Sequence, residues 1–230
     1  MRIDKYLSNL KYGSRTEVKL LIKSGFITVN DELVKTDKFN IDPNNDIVKV
    51  KDEIVFYKET INLIVNKPRG YLSANSDNFH KTVIELLKEP YSRFDFKIAG
   101  RLDLDSSGLL ILTTSGLLAH EITNPNKKVN KVYHVILKND IESYQQLLDG
   151  IIIKDGKNND YLAKANKIDI IGSKELEITI DEGKFHQVRR MFQAINNEVL
   201  ELKRIKVGKL SLNDLKEGTY QEFERSDLFD

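Results

Sequence analysis

The sequence predicts an α+β protein with two domains, a small one followed by a larger one. Helical periodicity gives way to two-residue alternation within the first 50 residues. Farther along, short apolar runs typical of strands alternate with capped helical segments. A length of 230 residues with 40% hydrophobic content suits one small and one medium-sized domain. We place the domains at 1–58 and 61–230, joined by a charged linker.

The first domain is expected to begin with two basic helices. Residues 1–25 contain two acidic side chains and six basic ones, which are Arg2, Lys5, Lys11, Arg15, Lys19 and Lys23. A capping box at Ser14 and Glu17 starts the second helix, and Gly25 ends it. The last three basic residues are spaced by four, so they share one helical face. That face is either solvated or a binding surface.

Period-two alternation follows the helices. Phe26–Val29 and Glu32–Val34 flank a turn at Asn30 and Asp31, which predicts a hairpin. A third short strand is expected over Ile47–Val50.

The second domain opens with an apolar strand over Ile61–Val65, and the loop that ends it carries the cations Lys67 and Arg69. The remaining patterns predict further elements in chain order. They are a short helix over Val83–Leu87, a strand over Phe96–Ala99, a helix over Ser115–Ile122, a strand over Lys127–Leu137, a helix over Ile141–Asp149 and a strand over Leu176–Ile180.

The loop from Gly100 to Gly108 is the most informative segment of this domain. It holds Arg101, Asp103 and Asp105 and opens directly into an apolar strand, so it is both supported and accessible. The two glycines allow tight turns on either side of Asp103. Asp103 is therefore a candidate reactive carboxylate, although spacing alone favours an aspartate that only caps a turn.

Two further clusters accompany that loop. Lys131 and Tyr133 are two residues apart in a predicted strand and share one face, where a tyrosine is more often a packing residue than a functional one. The run Glu182–Phe192 predicts a polar turn followed by an amphipathic helix. Lys184–Lys209 contains seven basic residues against two acidic ones, which indicates a second basic surface or a solvated face.

The first domain resembles an S4 RNA-binding domain (αL-type). The matching segments are Arg2–Leu7, Ser14–Val18, Leu21–Gly25 and Ile27–Asn30, with the later Pro43 and Asp46. The resemblance implies that the basic helical face binds phosphates of structured RNA.

The whole chain resembles a pseudouridine synthase of the S4-bearing branch that modifies ribosomal RNA, most like the enzymes of the small subunit. Three motifs in order carry this resemblance: Gly100-Arg101-Leu102-Asp103, Lys131-x-Tyr133, and His186-Gln187-Val188-Arg189-Arg190-Met191. It implies a catalytic domain built on a mixed, mostly antiparallel β-sheet with flanking helices. It also implies uridine isomerisation without a cofactor or metal, with 16S RNA or an assembling small subunit as partner.

The same resemblance implies the site residues. Asp103 would be the catalytic carboxylate, Tyr133 the residue that positions the uracil, and Arg189 the cation paired with Asp103. Residues expected to contact substrate or RNA are Arg2, Lys5, Arg15, Lys19, Lys23, Lys67, Arg69, Arg101, Lys131, His186, Gln187, Arg190 and Leu202. Asp103 could attack C1′ of the ribose, add to C6 of the base or take a proton from C2′, and the sequence leaves these open.

Composition limits the alternatives. The chain has no cysteine, which excludes disulfides and thiolate chemistry. It also lacks a signal-peptide core and any apolar stretch of about 18 residues, so a cytoplasmic protein without a membrane anchor is expected. The protein is expected to be a monomer. A magnesium site at Asp103 and Asp105 is disfavoured, because the four histidines are scattered and the cluster around Arg189 is cationic. A sister enzyme acting on 23S RNA and a non-catalytic RNA-binding or ribosome-assembly protein remain as alternatives.

Overall fold

The computed structural model describes residues 1–229, which form two compact units. The first unit comprises residues 1–61 and 87–95, and the second comprises residues 62–86 and 96–230, of which residue 230 is not described. Within residues 1–229, no helix is long and apolar enough to cross a membrane.

The first unit packs two helices with a four-stranded antiparallel sheet. Its elements are α1 (Ile3–Asn9), α2 (Arg15–Lys23), β1 (Ile27–Val29), β2 (Glu32–Leu33), β3 (Val48–Val50) and β4 (Glu53–Ile54), with the strand order β2-β1-β3-β4. The predicted capping box is confirmed, since the Ser14 side chain accepts from the Glu17 amide and the Glu17 carboxylate accepts from the Ser14 amide. Both predicted helices and the hairpin are present because their signals are local.

A segment distant in sequence completes this unit. Phe56 packs edge-on against Tyr91 at 5.8 Å and against Phe94 at 5.9 Å, measured between ring centroids. The Arg93 guanidinium lies 4.1 Å from the centre of the Tyr12 ring. Residues 87–95 were expected within the second domain, whereas in the structure they belong to the first unit. Aromatic contacts between distant segments leave no local pattern in the sequence that would predict this.

The second unit is built on a nine-stranded mixed sheet. Its strands are β5 (Asn62–Lys67), β6 (Lys97–Ala99), β7 (Ser107–Thr113), β8 (Lys131–Leu137), β11 (Lys167–Gly172), β12 (Glu175–Ile180), β13 (Val199–Val207), β14 (Leu210–Ser211) and β15 (Tyr220–Glu222). The main order is β11-β12-β8-β13-β7-β5-β15, with β14 beside β13 and β6 beside β7. Only the pairing of β13 with β7 is parallel among the described strands, which confirms the expected mixed, mostly antiparallel sheet.

The helices and a small hairpin flank this sheet. They are α3 (Gly116–Thr123), α4 (Gln145–Asp149), α5 (Gln187–Ala194), α6 (Arg225–Leu228) and the paired strands β9 (Ile151–Lys154) and β10 (Asp160–Ala163). Short 3₁₀ helices cover Val83–Leu86, Tyr91–Arg93 and Pro125–Lys127, of which Tyr91–Arg93 belongs to the first unit. Strands β5 and β7 are buried along their whole lengths and form the centre of the core.

Three predicted elements differ from the structure. The helix expected over Val83–Leu87 is a 3₁₀ helix, and the strand expected from Lys127 begins at Lys131 because Pro125 starts a 3₁₀ turn and Lys128 adopts a left-handed backbone. The helix expected from Ile141 begins only at Gln145. There the Ile141 amide donates to the Ser173 carbonyl at 2.7 Å, which holds the segment out of a helix.

Gly108 sets the central strand register. It lies opposite Arg204 in the parallel β7–β13 pair and has a φ of +105°. A Cβ atom at this position would come within 2.2 Å of the Arg204 carbonyl oxygen. The close approach of the two strands therefore requires glycine.

Replacing Gly108 with alanine should destabilise the protein by about 2 to 5 kcal/mol, because backbone strain adds to a clash with backbone atoms that cannot move aside. Chemical denaturation followed by far-ultraviolet circular dichroism measures this loss. The control is Gly116→Ala, since a Cβ atom there meets no atom within 4 Å. Equal denaturation midpoints for the two variants would contradict the assigned role of Gly108.

Candidate active site

The loop between β6 and β7 is held in place by Ser73, which lies in the loop that follows β5. The Ser73 hydroxyl donates to the Leu102 carbonyl at 2.7 Å and accepts from the Leu102 amide at 3.0 Å. Gly100 and Gly108, at its two ends, both have positive φ, as predicted. The loop therefore presents Asp103 from a fixed backbone.

Asp103 lines a cavity of about 550 Å³. Its walls come from the loop, β8, β12, β13 and the turn before α5. Among the residues that line it are Arg101, Asp103, Lys131, Tyr133, Asp181, Glu182, Lys184, Phe185, His186, Gln187, Leu202 and Arg204. A space of this size holds a small organic molecule with most of its surface buried.

Tyr133 and Arg204 form one wall of the cavity. They lie opposite each other in the β8–β13 pair, and both are buried. The Arg204 guanidinium donates to the Leu109 carbonyl at 2.7 Å and to the Gly100 carbonyl at 2.8 Å, and lies 3.5 Å from the Tyr133 hydroxyl. Arg204 thus links the Tyr133 ring to the loop that carries Asp103.

Arg204 was missed as a site residue by the sequence analysis, which counted it only as part of a basic cluster. The available signal was its spacing of two from Leu202, since both side chains face inward on β13 and are buried. Leu202 lines the cavity as expected. Lys131 and Tyr133 share the buried face of β8, as their spacing predicts.

The predicted pairing of Arg189 with Asp103 is wrong. The Arg189 guanidinium lies 2.7 Å from the Asp105 carboxylate and donates to the Val199 carbonyl at 2.8 Å. The side chain projects from α5 and reaches Asp105 rather than Asp103. Asp105 thereby gains a structural role that the sequence left unassigned.

The side chain beside the Asp103 carboxylate is instead His186. Its Nε2 atom lies 3.5 Å from the Asp103 carboxylate, and both side chains are partly exposed. His186 adopts a left-handed backbone just before α5 and stacks on the Phe185 ring at 3.9 Å. The histidine ring is therefore fixed from two directions.

Lys67, expected to contact RNA, is completely buried, so that prediction is wrong. Its Nζ atom donates to the carbonyls of Pro68 at 2.9 Å and Tyr71 at 2.8 Å. Burial lowers the pKa of Lys67 to about 8, against the opposing attraction of Asp103 and Asp105. The residue lies at the end of β5, which is covered on both faces.

Lys131 is also buried and lies in the cavity wall. Its ammonium donates to the Asp181 carbonyl at 3.1 Å. Burial, together with the positive charge of Arg204, lowers its pKa to about 8. Among the other predicted contacts, Gln187 is buried and accepts from the Lys184 amide, while Arg190 donates to the carbonyls of Lys154 and Asp155.

The remaining predicted RNA contacts are exposed. Arg101 lines the cavity with an exposed side chain, and Arg69 lies near the Leu200 carbonyl and the Glu201 carboxylate. In the first unit, Lys5, Arg15 and Lys23 are exposed, while Arg2 pairs with Asp4 and with Asp37, and Lys19 pairs with Asp37.

Comparison with known proteins adds independent information. A family model for RNA pseudouridylate synthase matches residues 61–194, and a model for the S4 domain matches residues 1–54. The RNA pseudouridine synthase YtzG of Bacillus subtilis (strain 168) is 41% identical over 99% of this chain and 97% of its own length. Ribosomal small subunit pseudouridine synthase A of Escherichia coli (strain K12) is 31% identical over 99% of this chain and 98% of its own.

A crystal structure described as a pseudouridylate synthase superposes on this chain with a TM-score of 0.67 and 31% sequence identity. The match covers 99% of this chain and 98% of the other. The similarity therefore extends over both units.

The two buried lysines predict a stability that rises with pH. Between pH 8 and 9.5 the folded lysines lose their protons while the unfolded ones, with a pKa near 10.4, keep theirs, so unfolding binds protons. Each lysine should add up to about 1.4 kcal/mol per pH unit to the free energy of unfolding. Above pH 10 the raised pKa of the buried Tyr6 acts in the opposite direction.

For Lys131→Met, the free energy of unfolding should rise less steeply with pH across this range than it does for wild type. The difference in slope should equal the contribution of one lysine. The exposed Lys167→Met is the control and should keep the wild-type slope. Parallel curves for Lys131→Met and wild type would show that Lys131 is not deprotonated in the folded protein.

Proposed function

The chain belongs to the RNA pseudouridylate synthase family, and on that premise we propose that it isomerises a uridine of 16S RNA in the small ribosomal subunit, with Asp103 as the catalytic carboxylate. The observation that carries the assignment of Asp103 is its position on a fixed loop at a cavity walled by Tyr133 and Arg204. The small subunit as target is supported by similarity over nearly the full length to small-subunit enzymes. A ribosomal substrate places the activity in the cytoplasm.

The reaction requires one bond to break and another to form. The bond between N1 of uracil and C1′ of ribose breaks, the base turns, and C5 bonds to C1′, while a proton leaves C5 and one is gained at N1. A carboxylate can act as nucleophile or base in this sequence without an external cofactor. Asp103 is partly exposed in the cavity, so its free oxygen can meet the nucleoside.

The cavity walls suit a uracil ring. The Tyr133 ring offers a flat surface and Leu202 an apolar one, so we assign to them the positioning of the base. Arg204 fixes the Tyr133 hydroxyl and the start of the Asp103 loop at once. Positioning of this kind matters because small displacements of reacting groups cost large factors in rate.

Two side chains act on the Asp103 carboxylate. The His186 Nε2 atom lies 3.5 Å from it, and the buried Lys67 attracts it electrostatically. We assign Arg189 a positioning role, since it binds Asp105 within the same loop and donates to the Val199 carbonyl on β13.

The uridine must leave its RNA stack to enter the cavity, which costs a few kcal/mol. Arg101, with its exposed side chain at the cavity, is suited to hold a phosphate or fill the vacated space. The first unit, an S4 domain, contributes RNA binding through the basic face of α2, which supplies affinity rather than sequence recognition.

Asp103→Asn should abolish pseudouridine formation while leaving RNA affinity nearly unchanged, because the amide keeps the shape but loses the reactive charge. The measurement is pseudouridine mapping in 16S and 23S RNA from cells that lack the gene and carry either variant or wild type. Asp105→Asn is the matched control and should retain activity within about tenfold, since Asp105 points to Arg189.

A mark that wild type restores in 16S RNA and Asp103→Asn does not restore is the expected result. If Asp103→Asn restored the mark, Asp103 would not be the catalytic carboxylate. A wild-type mark in 23S RNA alone would redirect the target to the large subunit, and no mark in either RNA would favour a non-catalytic RNA-binding protein.

Replacing Arg15, Lys19 and Lys23 together with glutamine should weaken binding of 16S RNA and reduce its salt dependence. Each lost phosphate contact lowers the slope of log affinity against log salt by roughly 0.9, so a reduction of about 2 to 3 is expected. Filter binding across salt concentrations measures the slope. The control replaces three exposed lysines of the second unit, Lys164, Lys167 and Lys174, with glutamine. Equal slopes for the two triple variants would show that the basic face of α2 does not contact RNA.

A further inference from the structure

One aromatic side chain is exposed to solvent on the loop whose base is hydrogen-bonded to the loop of Asp103. Phe79 is the most exposed large apolar side chain of residues 1–229, with 90% of its surface accessible. It lies in the segment 74–81, to which no part in the proposed reaction is assigned. Exposing a phenylalanine to this degree forgoes the burial that normally stabilises it.

The backbone around Phe79 is fixed. A single Asp77 carboxylate oxygen accepts from the amides of Phe79 and His80, each at 2.8 Å. These backbone bonds lower the pKa of Asp77, which keeps it charged. At the base of the loop the Leu72 amide donates to the Lys81 carbonyl at 2.8 Å. The ring is thus presented outward on an ordered support and loses little backbone entropy when it binds a partner.

The base of this loop is joined to the loop of Asp103. Ser73 makes both of its hydroxyl hydrogen bonds to Leu102, the residue before Asp103. Adding the chain steps and the two hydrogen-bonded links from Phe79 through Lys81, Leu72 and Ser73 to Asp103 gives an upper limit of about 30 Å between the Cα atoms of Phe79 and Asp103. A strand of RNA covers such a distance in a few nucleotides, so one RNA can reach both residues.

The surroundings of Phe79 favour a nucleobase over a protein as its partner. Its neighbours in the loop are polar, namely Asn75, Ser76, Asp77, Asn78 and His80. Protein interfaces bury contiguous apolar patches around their aromatic anchors, which this loop lacks. Lys81 follows two residues later in the chain, with its ammonium 6.0 Å from the centre of the Tyr71 ring, and can balance a phosphate. An exposed ring in a polar loop that also carries a lysine matches the way proteins hold unpaired bases.

We propose that Phe79 stacks on an unpaired base of the RNA within a few nucleotides of the uridine that enters the cavity. The stacked base anchors the strand from which the uridine is extruded. This proposal rests on the proposed function, because that function makes RNA the partner.

A fluorescent substitution tests the contact directly. The chain contains no tryptophan, so Phe79→Trp introduces a single reporter at the loop. Titration with transcribed 16S RNA, and with a single-stranded RNA of about twelve nucleotides, should quench its fluorescence through stacking on a base. Leu117→Trp, at a site 83% exposed on α3, is the matched control and should not be quenched.

Kinetics test the consequence for turnover. Phe79→Ala should raise KM for 16S RNA by roughly 5- to 150-fold with kcat nearly unchanged, since stacking acts on bound RNA before and during reaction alike. Phe79→Tyr should restore the wild-type KM, because a tyrosine ring stacks equally well. Leu117→Ala should match wild type.

The outcomes separate this proposal from the one on which it rests. If wild type forms pseudouridine and Phe79→Trp binds RNA in a filter assay without quenching, stacking is refuted and the enzyme assignment stands. If Phe79→Trp is quenched but wild type forms no pseudouridine, stacking on RNA stands and the proposed enzymatic function is refuted. A blue shift on adding ribosomal proteins, without quenching by RNA, would assign the loop to a protein partner and overturn the proposal.

Discussion

The buried guanidinium of Arg204 is the interaction on which the rest of the candidate site depends. It joins the β7 strand at Leu109, the start of the Asp103 loop at Gly100 and the Tyr133 ring on β8. A buried cation is stabilised when its donors find acceptors, and here backbone carbonyls accept from Nε and from one Nη, while the Tyr133 hydroxyl lies 3.5 Å from the other Nη. Moving any of the three elements would leave that charge partly unsatisfied, so strand register and site geometry are coupled.

The absence of a side chain at Gly108 makes this arrangement possible. It brings β7 close to β13 in the parallel pair at the centre of the sheet, and the strand that follows Gly108 supplies the Leu109 carbonyl. The loop that carries Asp103 enters the sheet at the same point. A single register therefore decides where the carboxylate, the aromatic ring and the guanidinium meet.

Charge is distributed unevenly around that point. Lys67 and Lys131 are buried with carbonyl partners and lowered pKa values. Burying the lysines costs stability at neutral pH. For Lys67 the electrostatic attraction of Asp103 offsets part of that cost, which links the buried charge to the loop that carries the proposed catalytic residue.

The sequence by itself determined the features that depend on local signals. The capping box at Ser14, the inward face shared by Lys131 and Tyr133 and the glycine-bounded loop at Asp103 each follow from a few neighbouring residues. Tertiary structure alone decided which charges meet. The pairing of Arg189 with Asp105, the burial of Lys67 and the central role of Arg204 arise from the parallel register of β7 with β13 and from the covering of β5 on both faces. Those contacts join segments up to about a hundred residues apart, and hydrogen bonds over such distances are set by packing rather than by sequence periodicity.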